Sequence, residues 1–257
     1  MLILTFDEAT NIRRTLDALK DVPEVFILDS GSSDGTQAIA ASYLNVRLLS
    51  RSFDSHSVQW NYGLAQCGLT QEWVWALDAD YVVTPELLDE VASLVPRLET
   101  SGYRTNFRYC VQGRTLSASL YPPVITLFRR ERANYVQDGH TQRLIVQGEV
   151  DQLNAFILHD DRKPLSRWLA SQDRYANLEC DLLLGKPWRK LKWRDRLRRM
   201  VIITPWLVPL YCLFVGRGLF DGQAGLLYAL QRGVAEAILS IKLLEARWRC
   251  RASGQKN

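Results

Sequence analysis

The apolar residues of the first hundred positions fall into short runs separated by segments with a helical repeat. The runs are rich in Val, Ile, Leu and Trp, which is typical of strands buried on both faces. They lie at 1–5, 25–28, 46–49 and 73–77. Between the first two runs, Ile12, Leu16 and Leu19 recur at helical spacing. This alternation predicts an α/β fold, a mostly parallel sheet with helices on both faces.

Residues 73–80 read WVWALDAD and join a buried strand to two carboxylates. Side chains two positions apart on a strand point the same way. We therefore expect Asp78 and Asp80 to project together from its carboxyl end, where ligands of open α/β sheets bind. Adjacent carboxylates repel each other unless a cation lies between them, which predicts a divalent ion that carries phosphate oxygens. A polar turn is the alternative for this pair taken alone.

Two further element boundaries are marked by residues with a defined local role. The strand at 25–28 ends at Asp29 and continues into the small, turn-forming residues 30–36. These residues let the backbone bend and expose its N–H groups beside a helix start, which suits a nucleotide. Thr84 and Pro85 are placed as the N-cap and the first residue of another helix.

The pattern loosens after residue 96, where strands are predicted at 103–109, 124–128 and 154–158. We expect this half to face an acceptor substrate. Within it, residues 137–142 are all polar or glycine and include Asp138 and His140. The same six residues also suit a surface hairpin, because Asp-Gly is a strong turn signal.

The composition is that of a folded chain with two halves of opposite charge. Of 257 residues, 47% are hydrophobic and 23% charged. Residues 1–180 carry 17 Lys and Arg against 23 Asp and Glu, a net charge of −6, and residues 181–257 carry 15 against 5, a net charge of +10. The halves should therefore face different partners. Five scattered cysteines and no signal peptide predict a reducing, cytosolic location.

The basic half contains residues 186–199, where eight Lys and Arg face one Asp, followed by the uncharged run 201–215. Basic residues interleaved with Trp suit an anionic membrane surface, and the run is shorter than the roughly 20 residues that cross a bilayer. We expect 186–215 to bind that surface in a peripheral or re-entrant manner. A nucleic-acid patch needs no such apolar neighbour, so no nucleic-acid partner is expected. A buried core helix is the alternative for 201–215.

Three motifs together resemble glycosyltransferase family 2, whose members have the GT-A fold. Residues 4–12 resemble its first strand and nucleotide-contacting turn, residues 29–36 its second motif, and residues 77–80 its metal-binding Asp-x-Asp. Later stretches resemble the branch that decorates lipopolysaccharide core and other envelope glycans. They are Phe53-Asp54, Gln59, residues 61–64, Gly139-His140, and residues 220–222 with Gly225. Asp7 departs from the family's usual Asn, and Tyr81 from the branch's frequent Glu.

The resemblance implies an inverting, metal-dependent glycosyltransferase that moves a sugar from a nucleoside-diphosphate sugar, expected to be UDP-linked, to a glycan or lipid-linked hydroxyl. Asp78 and Asp80 would hold Mg²⁺ or Mn²⁺. Asp138 is the first candidate for the general base, and His140 is the second candidate or a further metal ligand. The implied nucleotide-binding set is Thr5, Phe6, Asp7, Glu8, Asp29, Gly31, Asp34, Asn61 and Asp78. The catalytic domain would span 1–180 and a helical membrane-associating region 181–257, at the cytoplasmic side of the inner membrane.

Two other functions compete with this interpretation. Four apolar residues followed by Asp78 and Asp80 also fit the nucleophile strand of haloacid-dehalogenase-type phosphatases, with His159, Asp160 and Asp161 on a second acidic strand. The other alternative is a membrane-bound scaffold whose nucleotide-sugar site no longer supports catalysis. Its only support is that Asp7 and Tyr81 depart from the residues usual in the family and its branch.

Overall fold

The computed structural model of the chain describes residues 1–66, 68–117, 120–138 and 141–252, except for the side chains of Asp138 and Thr141. The chain forms two compact units. The first comprises Met1–Thr115 and Leu120–Arg162, and the second Leu116–Ser119 and Lys163–Asn257. Residue 180, where the catalytic domain is predicted to end, falls within a helix of the second unit.

The first unit is built on one large sheet with four helices. Its strands are β1 Leu2–Thr5, β2 Val25–Asp29, β3 Val46–Ser50, β4 Trp73–Asp78, β5 Tyr81–Val83, β6 Thr100–Val111, β7 Arg114–Thr115, β8 Val124–Arg129, β9 Ala133–Asp138, β10 Thr141–Val146 and β11 Glu149–His159. Its helices are α1 Ile12–Ala18, α2 Thr36–Ala41, α3 His56–Gln66 and α4 Pro85–Ala92. All strands and helices expected before residue 96 are present, and Thr84 caps α4 by accepting a hydrogen bond from the Leu87 N–H.

The sheet runs in the order β3-β2-β1-β4-β8-β6-β11-β5, with β7 beside β6. β3, β2, β1 and β4 are parallel, as the alternating pattern predicts. The strands added after residue 96 make the sheet mixed, because β8 lies antiparallel between β4 and β6, and β5 antiparallel to β11. β9 and β10 form a separate antiparallel hairpin in which Asp138 is opposite Thr141, so Asp138 lies in a hairpin, as the Asp-Gly turn signal predicts.

Apolar side chains on both faces of the sheet form its core. Leu2 and Ile3 point to opposite faces of β1, and both are fully buried. On β4, Val74 packs on one face and Trp75 on the other. A Cβ at Gly63 would lie 2.8 Å from the side chain of Leu2, so helix α3 lies unusually close to β1. This burial on both faces explains the continuous apolar runs of the sequence.

The second unit is helical. It contains α5 Leu165–Gly185, α6 Trp193–Arg199, α7 Thr204–Leu210 and α8 Gly222–Ala252, with short helical turns at Trp188–Lys190, Tyr211–Val215 and Gly218–Asp221. α8 is the longest of these helices, with 31 residues. Val201 and Cys212 are buried, but Trp206 is 73% and Phe214 64% exposed, so the run 201–215 does not form the buried core helix that is the alternative to membrane contact. Among the described residues, no helix is long and apolar enough to span a membrane.

The stretch 220–222 with Gly225 has a structural role at the start of α8. Asp221 accepts hydrogen bonds from the Ser117 N–H at 2.8 Å and from the Ser117 hydroxyl at 2.9 Å. A Cβ at Gly225 would collide with the carbonyl group of Gly218, so only glycine allows this approach. These contacts hold the turn Gly218–Asp221 against the first turn of α8.

Candidate active site

The ends of three parallel strands bring the predicted site residues together. In the pairing of β1 with β2, Thr5 is opposite Asp29, and in the pairing of β1 with β4, Leu4 is opposite Asp78. The loops that follow these strands therefore leave the same edge of the sheet. This edge is where ligands of open α/β sheets bind.

Asp29 organises the loop that follows β2. Its fully buried carboxylate accepts hydrogen bonds from the Thr5 hydroxyl at 2.8 Å, the N–H groups of Gly31 and Ser32 at 3.0 and 2.8 Å, and the Gln37 amide at 2.6 Å. Burial raises the pKa of Asp29, but these donors outweigh it and hold the pKa below its ordinary value. The carboxylate is thus ionised and fully engaged in shaping the loop.

The two predicted nucleotide-binding segments are tied to each other at Asp7. Its N–H donates to the Ser32 hydroxyl at 2.7 Å, and its carboxylate accepts from the Ser33 N–H at 2.8 Å. Asp7 has a φ of 52°, a left-handed conformation that Asn and Asp adopt more readily than other side chains. This conformation explains why Asp can stand where the family usually has Asn. The neighbouring Phe6 ring is 53% exposed.

A second set of contacts joins the same two segments. The Glu8 N–H donates to the Thr36 hydroxyl at 2.6 Å, and the Ala9 N–H donates to the Asp34 carboxylate at 3.0 Å. Burial raises the pKa of Asp34, but hydrogen bonds from Thr36 and Ala9 outweigh it and lower the pKa. Gly31 and Gly35 have φ values of 89° and 93°, which glycine alone adopts easily. The two loops thus form one preorganised surface.

Asn61 has a structural position. Its amide nitrogen donates to the Tyr135 carbonyl at 2.8 Å, and its amide oxygen accepts from the Tyr135 N–H at 2.9 Å. Trp60 stacks on the Tyr135 ring with centroids 5.2 Å apart. Both polar groups of Asn61 therefore fasten β9 to α3, and we assign it this role in place of nucleotide binding.

Asp78 and Asp80 lie on a fixed turn rather than on one extended strand. β4 ends at Asp78, and the Ala79 carbonyl accepts a hydrogen bond from the Thr15 hydroxyl at 2.7 Å. The Asp80 carbonyl accepts from the Asp160 N–H at 3.1 Å, which continues the pairing of β5 with β11. Both carboxylates raise the pKa of Tyr81, after the larger effect of its burial. Both acids therefore lie near the same buried phenol.

His159, at the end of β11, faces Asp80. Its Nε2 atom lies 3.2 Å from an Asp80 carboxylate oxygen. The imidazole is surrounded by the edges or faces of Tyr81, Tyr109 and Tyr121, with ring centroids 5.0 to 5.2 Å away. Burial lowers the pKa of His159, but the charge of Asp80, followed by its hydrogen bond and the charge of Asp78, outweighs this effect and raises the pKa.

Tyr81 occupies the position where the resembling branch often has Glu. Its ring is buried, and its hydroxyl lies 2.6 Å from the hydroxyl of Tyr121. Burial, the charge of Asp78 and the Tyr121 hydroxyl hold the pKa of Tyr81 well above its ordinary value. Tyr81 therefore places a neutral phenol, not a carboxylate, beside the acidic pair.

Asp80 and His159 share a hydrogen bond and offer a carboxylate and an imidazole, and an ion bound there would replace the proton between them. Adjacent ligands of one octahedral ion lie about 2.1 Å from it and hence about 3.0 Å from each other, close to the 3.2 Å observed. In the described part of the chain, no group of three or more His, Cys, Asp or Glu is placed to hold an ion. Two protein ligands suffice where substrate phosphates and water supply the others.

The acids next to His159 are already engaged. Asp160 is buried and pairs with Arg162 at 2.7 Å and with Arg14 at 3.5 Å. Asp161 accepts a hydrogen bond from the Asn11 amide at 2.9 Å. The Asp160 carboxylate is therefore held in ion pairs with these two arginines. Gly139, His140 and the side chain of Asp138, which carries the predicted general base, lie outside the described residues.

Comparison with known proteins identifies the family. The sequence model described as "Glycosyl transferase family 2" matches residues 1–151, more than half of the chain. The lipopolysaccharide core biosynthesis glycosyltransferase LpsC of Rhizobium meliloti (strain 1021) is 26% identical over 263 aligned residues, which cover 95% of this chain and 90% of that protein.

A solved structure shows the same fold. Mannosyltransferase PcManGT from Pyrobaculum calidifontis, in complex with GDP-Man and Mn²⁺, superposes with a TM-score of 0.54 at 16% identity, covering 95% of this chain and 86% of that one. S. aureus TarS 1-349 in complex with UDP-GlcNAc matches with a TM-score of 0.49 at 14% identity, over 96% and 90% of the two chains.

These matches decide between the functions left open by the sequence. The phosphatase interpretation is wrong, because the family model covers β1 to β4 and the acidic pair follows the fourth strand rather than the first. The decayed scaffold loses its two supports, since the backbone conformation accounts for Asp7 and the hydroxyl pair for Tyr81. The chain belongs to glycosyl transferase family 2 and is a glycosyltransferase.

Proposed function

We propose that this glycosyltransferase moves a sugar from a nucleoside-diphosphate sugar to a hydroxyl group of a cell-envelope glycan or lipid-linked acceptor, with a divalent cation and with inversion at the anomeric carbon. The observation that carries the proposal is the shared sheet edge. There the loop organised by Asp29 lies on strands next to the Asp78–Asp80 turn and its partner His159. A nucleoside-diphosphate sugar requires both parts of this edge, the loop for its nucleoside and the acidic turn with His159 for its diphosphate and cation.

On the donor side, the exposed Phe6 ring and the loop at 30–36 would receive the nucleoside. Asp80 and His159 would hold the cation, with Asp78 adding negative charge. When bound, the cation supplies Lewis-acid stabilisation of the diphosphate as it leaves. A mixed carboxylate and imidazole pair favours Mn²⁺ over Mg²⁺, because imidazole nitrogen suits transition metals better. The Mn²⁺ and GDP-Man of the mannosyltransferase structure agree with this kind of donor and ion.

Thermal stabilisation by donors tests this assignment. We expect one nucleoside-diphosphate sugar in a panel, UDP-linked by our proposal, to raise the melting temperature by roughly 5 to 10 °C at about 100 times its Kd. Mn²⁺ must be present, because the diphosphate completes the ion's ligands. Nucleoside monophosphates and free sugars with Mn²⁺ serve as controls. If no member of the panel shifts the melting temperature with Mn²⁺, the proposal is wrong.

On the acceptor side, attack by a hydroxyl group requires a base that takes its proton. Asp138 ends β9, and its neighbour Gln137 accepts a hydrogen bond from the Ser57 hydroxyl at 3.3 Å, which ties β9 to α3. We propose Asp138 as the base and His140 as the alternative. In-line attack assisted by such a base gives inversion.

Replacing Asp138 by Asn should lower kcat by about 10²-fold or more while the Kd for the donor stays within a factor of about two. Asn keeps the size of the side chain but cannot take a proton. Single-turnover rates and donor titrations measure the two effects separately. An unchanged kcat would transfer the role to His140, because Asp160 is held in its ion pair.

The acceptor proposal agrees with the relative LpsC, whose name places it in lipopolysaccharide core biosynthesis. Such acceptors are anchored in a membrane, so the enzyme must reach a lipid surface. We propose that residues 186–215 bind an anionic membrane surface, on its cytoplasmic side. Four cations of this segment are exposed and make no ion pair among the described residues: Arg189, Lys190, Lys192 and Arg194.

Other cations of the segment are used inside the protein. Arg198 pairs with the buried Glu236 at 2.7 Å and with Glu179 at 3.3 Å, and thereby fastens α6 to α8 and α5. Arg196 donates to the Trp188 carbonyl at 3.2 Å. These two side chains therefore stabilise the folded protein, and variants that test membrane binding must keep them.

Replacing Arg189, Lys190, Lys192 and Arg194 by Gln should weaken binding to vesicles with anionic lipid at least tenfold, since each cation contributes about 1 kcal/mol near such a surface. Turnover on a soluble acceptor should stay near normal, and turnover on a membrane-bound acceptor should fall. High salt should weaken wild-type binding without abolishing it, because screening leaves apolar contacts intact. Vesicle cosedimentation measures the binding.

The control changes the same number of charges on the first unit, where no membrane contact is proposed. Gln replaces four exposed cations there: Arg13, Lys20, Arg104 and Arg114. This variant should bind vesicles like the wild type. Wild-type protein that stays in the supernatant at low salt would contradict membrane binding altogether.

A further inference from the structure

Helix α8 carries an exposed apolar stripe along most of its length. The stripe residues recur with spacings of three and four, and those with large side chains are between 42% and 78% exposed. They are Leu227, Leu230, Val234, Ala237, Ile241, Leu244 and Trp248. The stripe is about 32 Å long at 1.5 Å per residue. The opposite face, with Tyr228, Leu239 and Leu243, is already buried in the unit.

The middle of this stripe lies beside helix α7. A Cβ at Gly233 would lie 3.1 Å from Pro209 and 3.3 Å from the Pro205 carbonyl, so α7 crosses α8 at this glycine. Gly233 shares a helical turn with Leu230 and Val234. The apolar stripe of α8 therefore runs past the place where α7 makes contact.

α7 and the turn after it carry an exposed stripe of their own. Its members follow the same spacing of three and four and are 36% to 73% exposed: Ile203, Trp206, Leu207, Leu210, Tyr211 and Phe214. The Pro209 side of α7 packs on α8, which leaves this stripe outward. The two packed helices therefore each expose an apolar stripe, and exposed apolar patches of this kind mark interaction surfaces.

We propose that the α8 stripe is a second lipid-contacting surface, so that α7 and α8 together lie in the headgroup and upper acyl region of an anionic bilayer. This inference rests on the proposed membrane binding of 186–215 and extends it to residues 227–248. Phe220, in the turn before α8, is a further apolar side chain of this unit that is 87% exposed. An apolar helix face flanked by cations binds an anionic bilayer in this manner.

Charge favours a bilayer over a second copy of the chain as the occupant. Residues 181–257 carry 15 Lys and Arg against 5 Asp and Glu, so two copies of this region would repel each other. Anionic lipid instead neutralises the excess. The C-terminal end of the stripe also favours an anionic bilayer. There Trp248 is followed by the exposed Arg249 and Arg251, and an aromatic ring beside cations is typical of a helix at a lipid headgroup region.

A triple variant tests the proposal: Leu230→Gln, Ile241→Gln and Trp248→Gln. All three side chains are exposed, so the fold should persist, as turnover on a soluble acceptor will verify. The affinity for vesicles with roughly one quarter anionic lipid should fall about 100-fold, because three apolar side chains no longer enter the bilayer. A matched control changes exposed apolar residues of the first unit: Leu44→Gln, Val95→Gln and Leu98→Gln.

A second variant, Trp206→Gln with Phe214→Gln, separates this inference from the proposed function. If it loses vesicle binding while the α8 triple variant binds normally, the membrane proposal stands and the α8 inference is wrong. If the wild type does not bind vesicles, both fail. Analytical ultracentrifugation without lipid provides the remaining test: a wild-type dimer that the α8 triple variant abolishes, with vesicle binding unchanged, would assign the stripe to a second copy.

Discussion

Replacing Asp80 by Ala is expected to abolish sugar transfer, with kcat/KM lowered about 10³-fold or more. The Asp80 carboxylate lies 3.2 Å from His159 Nε2, and together they offer the carboxylate and imidazole ligands of one cation. A bound cation contributes several kcal/mol to stabilising charge on a leaving phosphate, and each 1.36 kcal/mol is a factor of ten in rate. Loss of the ligand removes this contribution.

Folding of the Asp80→Ala protein should persist. The change removes the contact of the side chain with His159, while the backbone carbonyl still accepts a hydrogen bond from the Asp160 N–H. The melting temperature and Mn²⁺ binding, measured by electron paramagnetic resonance with a nucleoside diphosphate present, separate a lost ion from a lost fold. Asp89→Ala, at an exposed position on α4, is the matched control and should keep both.

Variants of Asp78 and His159 test how much each of these side chains contributes to cation binding. Asp78→Ala should reduce transfer severely, and His159→Asn should weaken Mn²⁺ binding more than it lowers the melting temperature. Full activity of Asp80→Ala in buffer treated with a chelator would refute the metal role. Normal Mn²⁺ affinity in His159→Asn would remove His159 from the site and leave the carboxylates as its protein ligands.

The part of the site formed by the ends of β1, β2 and β4 could be predicted from the sequence, because each of its residues follows directly after an apolar run. The parallel strands β1, β2 and β4 follow from apolar runs, and their ends carry Thr5, Asp29 and Asp78. Once the strands are parallel and adjacent, their ends must share an edge. The loop at 30–36 follows from its glycines, which the structure shows at positive φ.

The other half depends on pairings that no local pattern specifies. His159 reaches Asp80 because β5 and β11 pair antiparallel in a register that sets His159 opposite Tyr81. The sequence marks His159, Asp160 and Asp161 only as an acidic cluster with an imidazole. Three strands added antiparallel to their neighbours, β8, β7 and β5, likewise have no signature that separates them from parallel ones.

Side-chain roles were the hardest to predict. Asn61 and Arg198 both look like functional groups in the sequence, one for a nucleotide and one for a membrane. In the folded chain, Asn61 fastens the backbone of Tyr135, and Arg198 neutralises Glu236. The partner of each of these polar side chains lies tens of residues away in the sequence. Neither the composition nor the spacing of residues predicts such tertiary contacts.

Replacing Asp29 by Ala is expected to lower the free energy of unfolding by about 2 to 4 kcal/mol, because hydrogen bonds to a charged group contribute about 1.5 to 3 kcal/mol and several are lost together. The Thr5 hydroxyl, the Ser32 N–H and the Gln37 amide would lose their acceptor. For a chain of this size, the melting temperature should fall by roughly 10 °C. Donor affinity should fall as well, since the loop at 30–36 loses its shape.

The pH dependence of this effect has a definite sign. The pKa of Asp29 in the folded protein lies below its ordinary value, so the carboxylate adds stability that is complete above its unfolded pKa of about 3.9. That stability is lost as the pH falls through the folded pKa. The difference in unfolding free energy between the wild type and Asp29→Asn, measured by urea titration, should therefore be full at pH 6 and shrink below about pH 4. Asp21→Asn, at an exposed position, should show no such difference. A wild-type advantage that grows as the pH falls below 4 would mean that Asp29 is protonated in the folded protein, contrary to the hydrogen bonds that it accepts.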